Sequence, residues 1–251
     1  MSATRVPIAV LADVHGNARA LDAVLREIER RGIRTIANLG DALYGPFDPR
    51  PVADRLPSIA VVSVSGNEDR VLVEAAAGRP ASRTARFTCD RLAPAHVQWL
   101  ASLPQRASLD GITLFHGAPH DDTVYLLSRV ADGRLAPRPG AEVDALLAGV
   151  ETRVVVCGHD HTPAAVETPC GVLVVNPGSV GCPAYVDDVP EPHAVENASP
   201  DARFAVLWPT SQGWTTELVA VAYDARAAAA EARANGFPDW ATWLETGRAT
   251  S

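Results

Sequence analysis

Two histidines, His159 and His161, stand one residue apart behind the apolar run "RVVVCG", with Asp160 between them. One histidine after a buried strand is an ordinary core residue, its ring satisfied by a carbonyl. Two flanking a carboxylate are the ligand types of a divalent cation, and other apolar runs of this chain end the same way. "VPIAVLAD" delivers Asp13 and then His15, "IRTIANLGD" delivers Asp41, "SIAVVSVSGN" delivers Asn67 and "GITLFHG" delivers His116. A glycine accompanies each group (Gly16, Gly40, Gly66, Gly117 and Gly158), which lets the backbone turn tightly around a small centre. Oxygen and nitrogen ligands without a thiolate suit one or two ions of Mn, Fe, Zn, Co or Ni. A buried set of two carboxylates and four imidazoles needs compensating charge, which divalent metal supplies. Alternation would aim His159 and His161 at different ions. Duller uses exist: Asp13 and His15 as helix caps, Asp41 as part of a turn in "GDALYGP", and Asn67 as an N-cap, which is compatible with metal binding.

Elements must bring these residues together. Residues 6–13 form a continuous apolar run, the pattern of a strand buried on both faces. In 17–32, Leu21, Val24, Leu25 and Ile28 fall at helical spacing and Gly32 ends the run. Strands are predicted over 33–41 and 58–69, with a helix after the second, and the stretch 80–105 reads as helical. A hairpin turns at Asp110-Gly111, a short helix covers 140–150, and a second hairpin follows the His159–His161 strand. Two strands and a strong helix close the chain. Side chains at the carboxyl ends of strands in an α/β sheet can converge on one site. The expectation is a single α/β domain over 1–251 with mixed sheet pairing. Within it, 182–200, rich in Pro and Asp and without periodicity, is predicted to be a loop or lid. Residues 222–251 form a C-terminal helical extension.

Composition excludes several classes. With 251 residues, 47% of them hydrophobic, the chain can bury a sizeable core. No apolar run approaches the roughly 20 residues of a membrane span. The N-terminus enters a strand without a signal region, and the four cysteines lack CxxC spacing, so free thiols in the cytoplasm are expected. All 22 basic residues are arginine, the net charge is −8, and no basic stripe occurs, which argues against nucleic acid as a partner. The expected partner is a small molecule, and homo-oligomerisation stays open.

Taken in order, "DVHGN", "GD", "GNE", "HG" and "GHDH" resemble the calcineurin-like metallophosphoesterases, over roughly 6–221. Together with the "NPGS" turn at Asn176–Ser179, they resemble the small bacterial and archaeal phosphodiesterase branch. The resemblance implies a β-sandwich of two mixed sheets flanked by helices, with a dinuclear centre at the strand ends. It implies Asp13, His15 and His161 at one ion, Asn67, His116 and His159 at the other, and Asp41 bridging, with Mn favoured. Asp41, Asn67 and His116 would then carry catalysis, a metal-bridging hydroxide attacking phosphorus in line. Asp160 would point away or support a ligand.

One departure stands out. Many relatives have Gly-Asn-His, whose histidine meets the leaving group, and here Glu68 follows Gly66-Asn67. A carboxylate is a poorer proton donor beside phosphate unless its pKa is raised. That favours a small phosphodiester or phosphoanhydride over a monoester, with a phosphomonoesterase or protein phosphatase, or a non-catalytic scaffold of the same fold, as alternatives. Candidate substrate contacts are Asn17, Glu68, Arg70, His120 and His193. His120 and His193 could supply the missing proton, and Arg70 could meet phosphate or form a helix-surface salt bridge. His96 reads as a surface residue and Ser179 as a turn former, since it lacks a nucleophile-elbow pattern.

Overall fold

The computed structural model describes residues 5–249. The first half of the chain runs β1 (Ile8–Leu11), α1 (Ala18–Arg30), β2 (Thr35–Asn38), two single turns α2 (Arg50–Ala53) and α3 (Leu56–Ile59), β3 (Val62–Ser63), α4 (Asn67–Ala76), α5 (Arg83–Cys89) and α6 (Pro94–Ser102). Next come β4 (Arg106–Leu109), β5 (Ile112–Phe115), β6 (Ser128–Ala131), β7 (Arg134–Pro137), α7 (Gly140–Leu146), β8 (Val154–Val156), β9 (Ala164–Glu167) and β10 (Leu173–Asn176). The chain closes with β11 (Ala184–Asp187), β12 (His193–Glu196), β13 (Ala202–Thr210), β14 (Gly213–Val221), α8 (Ala225–Ala234) and α9 (Pro238–Thr246).

Strand order is β14-β13-β1-β2-β3 in one sheet and β4-β5-β8-β10-β9 in the other. β1 lies parallel to β2 and antiparallel to β13, and β8 lies parallel to both β5 and β10. Alternation decides what each face meets. Ile8 and Val10 of β1, with Ala37, Leu39, Ala205 and Leu207, face Ile112, Leu114, Val154, Val156 and Val175 across the sandwich. Ala9 and Leu11 point the other way, onto Leu21, Val24 and Ile28 of α1. The back of the second sheet, through Phe115, Val155 and Val174, is covered by Val143 and Leu147 around α7. The predicted helix at 17–32 thus uses its apolar stripe, and the hairpin at Asp110-Gly111 forms as β4–β5. The strand predicted over 58–69 shrinks to the two residues of β3, because α3 takes the stretch before it.

The two mixed sheets form as expected, and a third joins them, in the order β11-β12-β7-β6. It corrects the reading of 182–200 as a loop. Ala184–Asp187 pairs antiparallel with His193–Glu196, and Ala194 reaches β7 at Arg134. Four-residue strands separated by a connection holding Pro190 and Pro192 carry too little alternation to be read from sequence. The partner hairpin β6–β7 turns on Asp132-Gly133, both with positive φ, which is a hairpin signal. Among the described residues no helix is long and apolar enough to cross a membrane.

Candidate metal centre

The carboxyl ends of β1, β2 and β3 in one sheet and of β5 and β8 in the other open onto one point. Asp13, His15, Asp41, His116, His159 and His161 are all buried there, from Asp13 at 0% exposed to His159 at 8%. Asn67 is the first residue of α4. His15 Nε2 lies 3.1 Å from His161 Nε2, and His161 Nε2 is 3.4 Å from Asp13 Oδ1. His116 Nε2 lies 3.0 Å from Asn67 Oδ1 and 3.2 Å from Asp41 Oδ2. The seven residues singled out in the sequence therefore meet.

Five of them sit in left-handed backbone: Asp13 (φ 55°), His15 (51°), Asp41 (51°), His159 (71°) and His161 (53°). Such conformations persist only where the surroundings over-determine them. Here hydrogen bonds continue past the strand ends: Asp13 N to Gly40 O (3.0 Å), His15 N to Asp41 O (3.0 Å), Gly181 N to Asp13 O (2.9 Å), and Gly158 N to His116 O (2.6 Å). Ser179 Oγ donates to Asp13 O at 2.8 Å, which makes it a turn former, as read from sequence. Asp160 turns away, its Oδ1 accepting from Thr162 N (2.9 Å) and Asn176 Nδ2 (2.7 Å).

Each imidazole spends one nitrogen on a backbone carbonyl. Nδ1 of His15, His116 and His161 donates to Tyr44 O (2.8 Å), Leu39 O (2.8 Å) and Cys182 O (2.7 Å). His159 is reversed, Nε2 donating to Thr123 O at 3.0 Å. The tautomers so fixed leave a lone pair on the other nitrogen of each ring, the arrangement of metal-binding histidines. Among the described residues, Asp13 Oδ1 is buried without a hydrogen-bond partner. Ligand atoms fall within 4.8 Å of one another in three groups: His15 with His161 and Cys182, Asp41 with His116 and His159, and Asp13 with His15 and Asp41.

Electrostatics point the same way. Burial opposes charge on His116, but Asp41 and then Asp13 outweigh it and raise its pKa to about 10. Burial likewise opposes charge on His15, yet Glu68, Asp41 and Asp13 bring it to about 9. Asp41 is buried too, and His116 above all holds its carboxyl well below the usual range. The carboxylates thus demand positive charge, which protons or cations would supply. The donor set fits divalent metal.

The sequence did not single out Asp69. Its Oδ2 accepts from Asp41 N (2.9 Å) and Gly66 N (3.0 Å), and its Oδ1 from Ala42 N (3.0 Å), so one buried carboxylate pins two ligand-bearing turns. Asp69→Asn keeps the shape but turns an acceptor into a donor facing an N–H. We expect a stability loss of about 1.5–3 kcal/mol, read from the denaturation midpoint, and metal affinity weakened about 10–100-fold.

The candidate substrate contacts fare unevenly. Glu68 lines the cavity over the cluster, its backbone N donating to Asp41 Oδ1 (2.9 Å) and its Oε2 3.2 Å from His15 Nδ1. Burial, against the pull of His15, lifts its pKa to about 7. The other four lie off the cavity wall. Asn17 caps α1, accepting from Ala20 N (3.1 Å) and donating to Gly181 O (3.1 Å) and Tyr223 OH (3.2 Å), so its amide is spent. Arg70 makes the helix-surface alternative, a bidentate pair with Asp122 at 2.8 and 3.1 Å. His120 borders a different depression, with Gln105 and Asp122. His193 is buried, donating Nδ1 to Glu191 O (2.7 Å) and accepting at Nε2 from Tyr125 OH (2.8 Å). Tyr125 OH lies 3.0 Å from Tyr185 OH, which is itself 3.1 Å from His159 O, so His193 backs onto the His159 segment through two tyrosines. His96 is tied to Asp54 at 2.8 Å, far from the cluster's wall. Tyr44, Cys182, Tyr185, Trp240 and Trp243 also line the cavity, with no local sequence signal to flag them.

Residues 6–191 match the family model described as the calcineurin-like phosphoesterase superfamily domain. The chain belongs to this superfamily. A metallophosphoesterase from Sphaerobacter thermophilus superposes with a TM-score of 0.75 at 25% identity, covering 97% of this chain and 100% of that one. An uncharacterized protein of Methanocaldococcus jannaschii is 40% identical over 62 residues, 25% of this chain and 26% of that relative. Both a bacterial and an archaeal protein are thus among the relatives of this calcineurin-like phosphoesterase. It is a metallophosphoesterase, an enzyme acting on phosphoester bonds.

Proposed function

We propose that this metallophosphoesterase hydrolyses a small phosphodiester or phosphoanhydride, with two divalent ions, Mn favoured, held by the converging strand ends. Asp13, His15 and His161 would hold one ion and Asn67, His116 and His159 the other, with Asp41 shared. The observation that carries this is the unpartnered, buried Asp13 Oδ1 facing imidazoles whose outer nitrogens are all spent on carbonyls. Bound there, the ions would neutralise phosphate oxygens and lower the pKa of water. The protein's own contribution is orientation. Carbonyls of Tyr44, Leu39, Cys182 and Thr123 aim the rings, and Asp69 fixes the turn that carries Asp41. Glu68, at the cavity wall where many relatives place a histidine, disfavours a doubly charged monoester by like charge once it is ionised, above its pKa of about 7. The four free thiols suit the reducing cytoplasm.

The test is metal content together with turnover of bis-p-nitrophenyl phosphate and p-nitrophenyl phosphate, with Mn added. Two ions per chain and preference for the diester are expected. Monoester preference would favour a phosphomonoesterase, and absence of both metal and turnover would leave a scaffold. Glu68→His restores the histidine of the relatives and is expected to raise the monoester-to-diester rate ratio by about the 10²-fold or more typical of a positioned acid.

A further inference from the structure

The cavity above the cluster, about 240 Å³, has a second wall with no part in holding metal. It comes from the C-terminal extension. Trp240 and Trp243, one helical turn apart on α9, both line the cavity, and α9 lies against β11, which presents Val186 and Asp187 to the same space. The rings step outward from the cluster. Trp240 meets His15 edge-on at 5.7 Å between centroids, and Trp243 follows at 5.5 Å. α9 is anchored to α8 by Ala241 and Leu244, buried with Ala228, Ala229 and Ala232, and Trp240 packs partly against this cluster while also lining the cavity. Trp243 belongs to none of the hydrophobic clusters, yet it is half-buried at the cavity wall. Val186 beside it is 49% exposed. A large aromatic side chain placed over a cavity rather than in a core is a binding surface.

Charge narrows the occupant. Among the described residues no arginine lines the cavity, and its charged side chains outside the cluster are Glu68 and Asp187. A substrate bringing further phosphates would find carboxylates where it needs cations. Beyond the phosphate at the cluster, the occupant must be uncharged, flat and apolar-faced. Donors on its edge would suit Glu68 and Asp187.

Resting on the phosphodiesterase reading, we propose that α9 is the specificity element of this enzyme, and that Trp240 and Trp243 stack the base of a nucleoside phosphodiester carrying one phosphate. The proposal decides between the two substrate types above, favouring the diester over the phosphoanhydride.

Thymidine 5′-(p-nitrophenyl phosphate) and methyl p-nitrophenyl phosphate share a leaving group and a single charge, and differ in carrying a nucleoside or a methyl group, so that AMP against ribose 5-phosphate below isolates the base. For the Mn-loaded enzyme, kcat/KM is expected to favour the nucleoside ester by roughly tenfold or more, the scale of base–aromatic stacking. Trp243→Ala should bring the ratio near unity, and Trp243→Phe should keep much of it. Calorimetry with AMP and ribose 5-phosphate gives a readout without turnover, with the same order expected. Equal affinity for AMP and ribose 5-phosphate, or a preference that survives Trp243→Ala, would overturn the shelf. Faster turnover of a dinucleoside polyphosphate than of the nucleoside ester would overturn the single-phosphate assignment. Base-selective binding with neither ester hydrolysed would uphold the shelf and sink the phosphodiesterase reading.

Discussion

Asp41→Asn is expected to lose at least about a hundredfold in diester turnover, the upper end of what removing an outer-shell partner of a metal ligand already costs. Asp41 has an oxygen in two of the three ligand groups, beside His116 and His159 on one side and beside Asp13 and His15 on the other. Its Oδ2 is also 3.2 Å from His116 Nε2. Removing the charge therefore weakens both halves of the centre at once. Asparagine is the informative replacement, because it tolerates the left-handed φ of 51° and leaves the turn intact. Metal content measured beside activity separates the causes: bound metal should fall together with rate. Unchanged turnover at full metal content would exclude Asp41 from the centre.

Gly66→Ala should be nearly as damaging to activity although it replaces none of the candidate ligand residues. A methyl group at Gly66 would overlap Asp41 Oδ1 and lie 2.6 Å from Asp41 N, backbone that cannot swing aside. Gly66 has ordinary extended dihedrals, so the cost is contact alone. Relief requires moving either Asp41 or the start of α4, which carries Asn67. A misplacement of about 1 Å can cost on the order of 10²-fold in rate, and overpacking costs about 1–3 kcal/mol of stability. The checks are diester kcat and the thermal midpoint of the same preparation. Activity within twofold of the parent would show that the turn yields elsewhere.

The convergence of these side chains was legible in the sequence because its information is local. Each group of candidate ligands follows one of five strands within a few residues, beside a glycine, so apolar runs and polar ends could be read together without knowing how the sheets pair. The sandwich followed from the same runs, since β1 and β8 are apolar on both faces. What escaped was long-range or short. Trp240 reaches His15 from the far end of the chain, and a tryptophan on an amphipathic helix reads as core. The strands β11 and β12 are four residues each and separated by Asp188, Pro190 and Pro192, which look like loop composition. His193 was mistaken for a loop residue for that reason, whereas pairing in the third sheet buries it. Arg70 and Asn17 sat beside the right motifs but had partners of their own, which only tertiary contacts reveal.

The left-handed turns have a bearing on how this protein would respond to selection. At about 1–3 kcal/mol for each such residue, Asp13, His15, Asp41, His159 and His161 together hold an appreciable fraction of the 5–15 kcal/mol that keeps a typical domain folded. Variants ranked by melting temperature in a chelator would collect glycine or asparagine at these positions first and emerge robust and inert. Thermostabilisation of this enzyme therefore has to be screened with its cation bound.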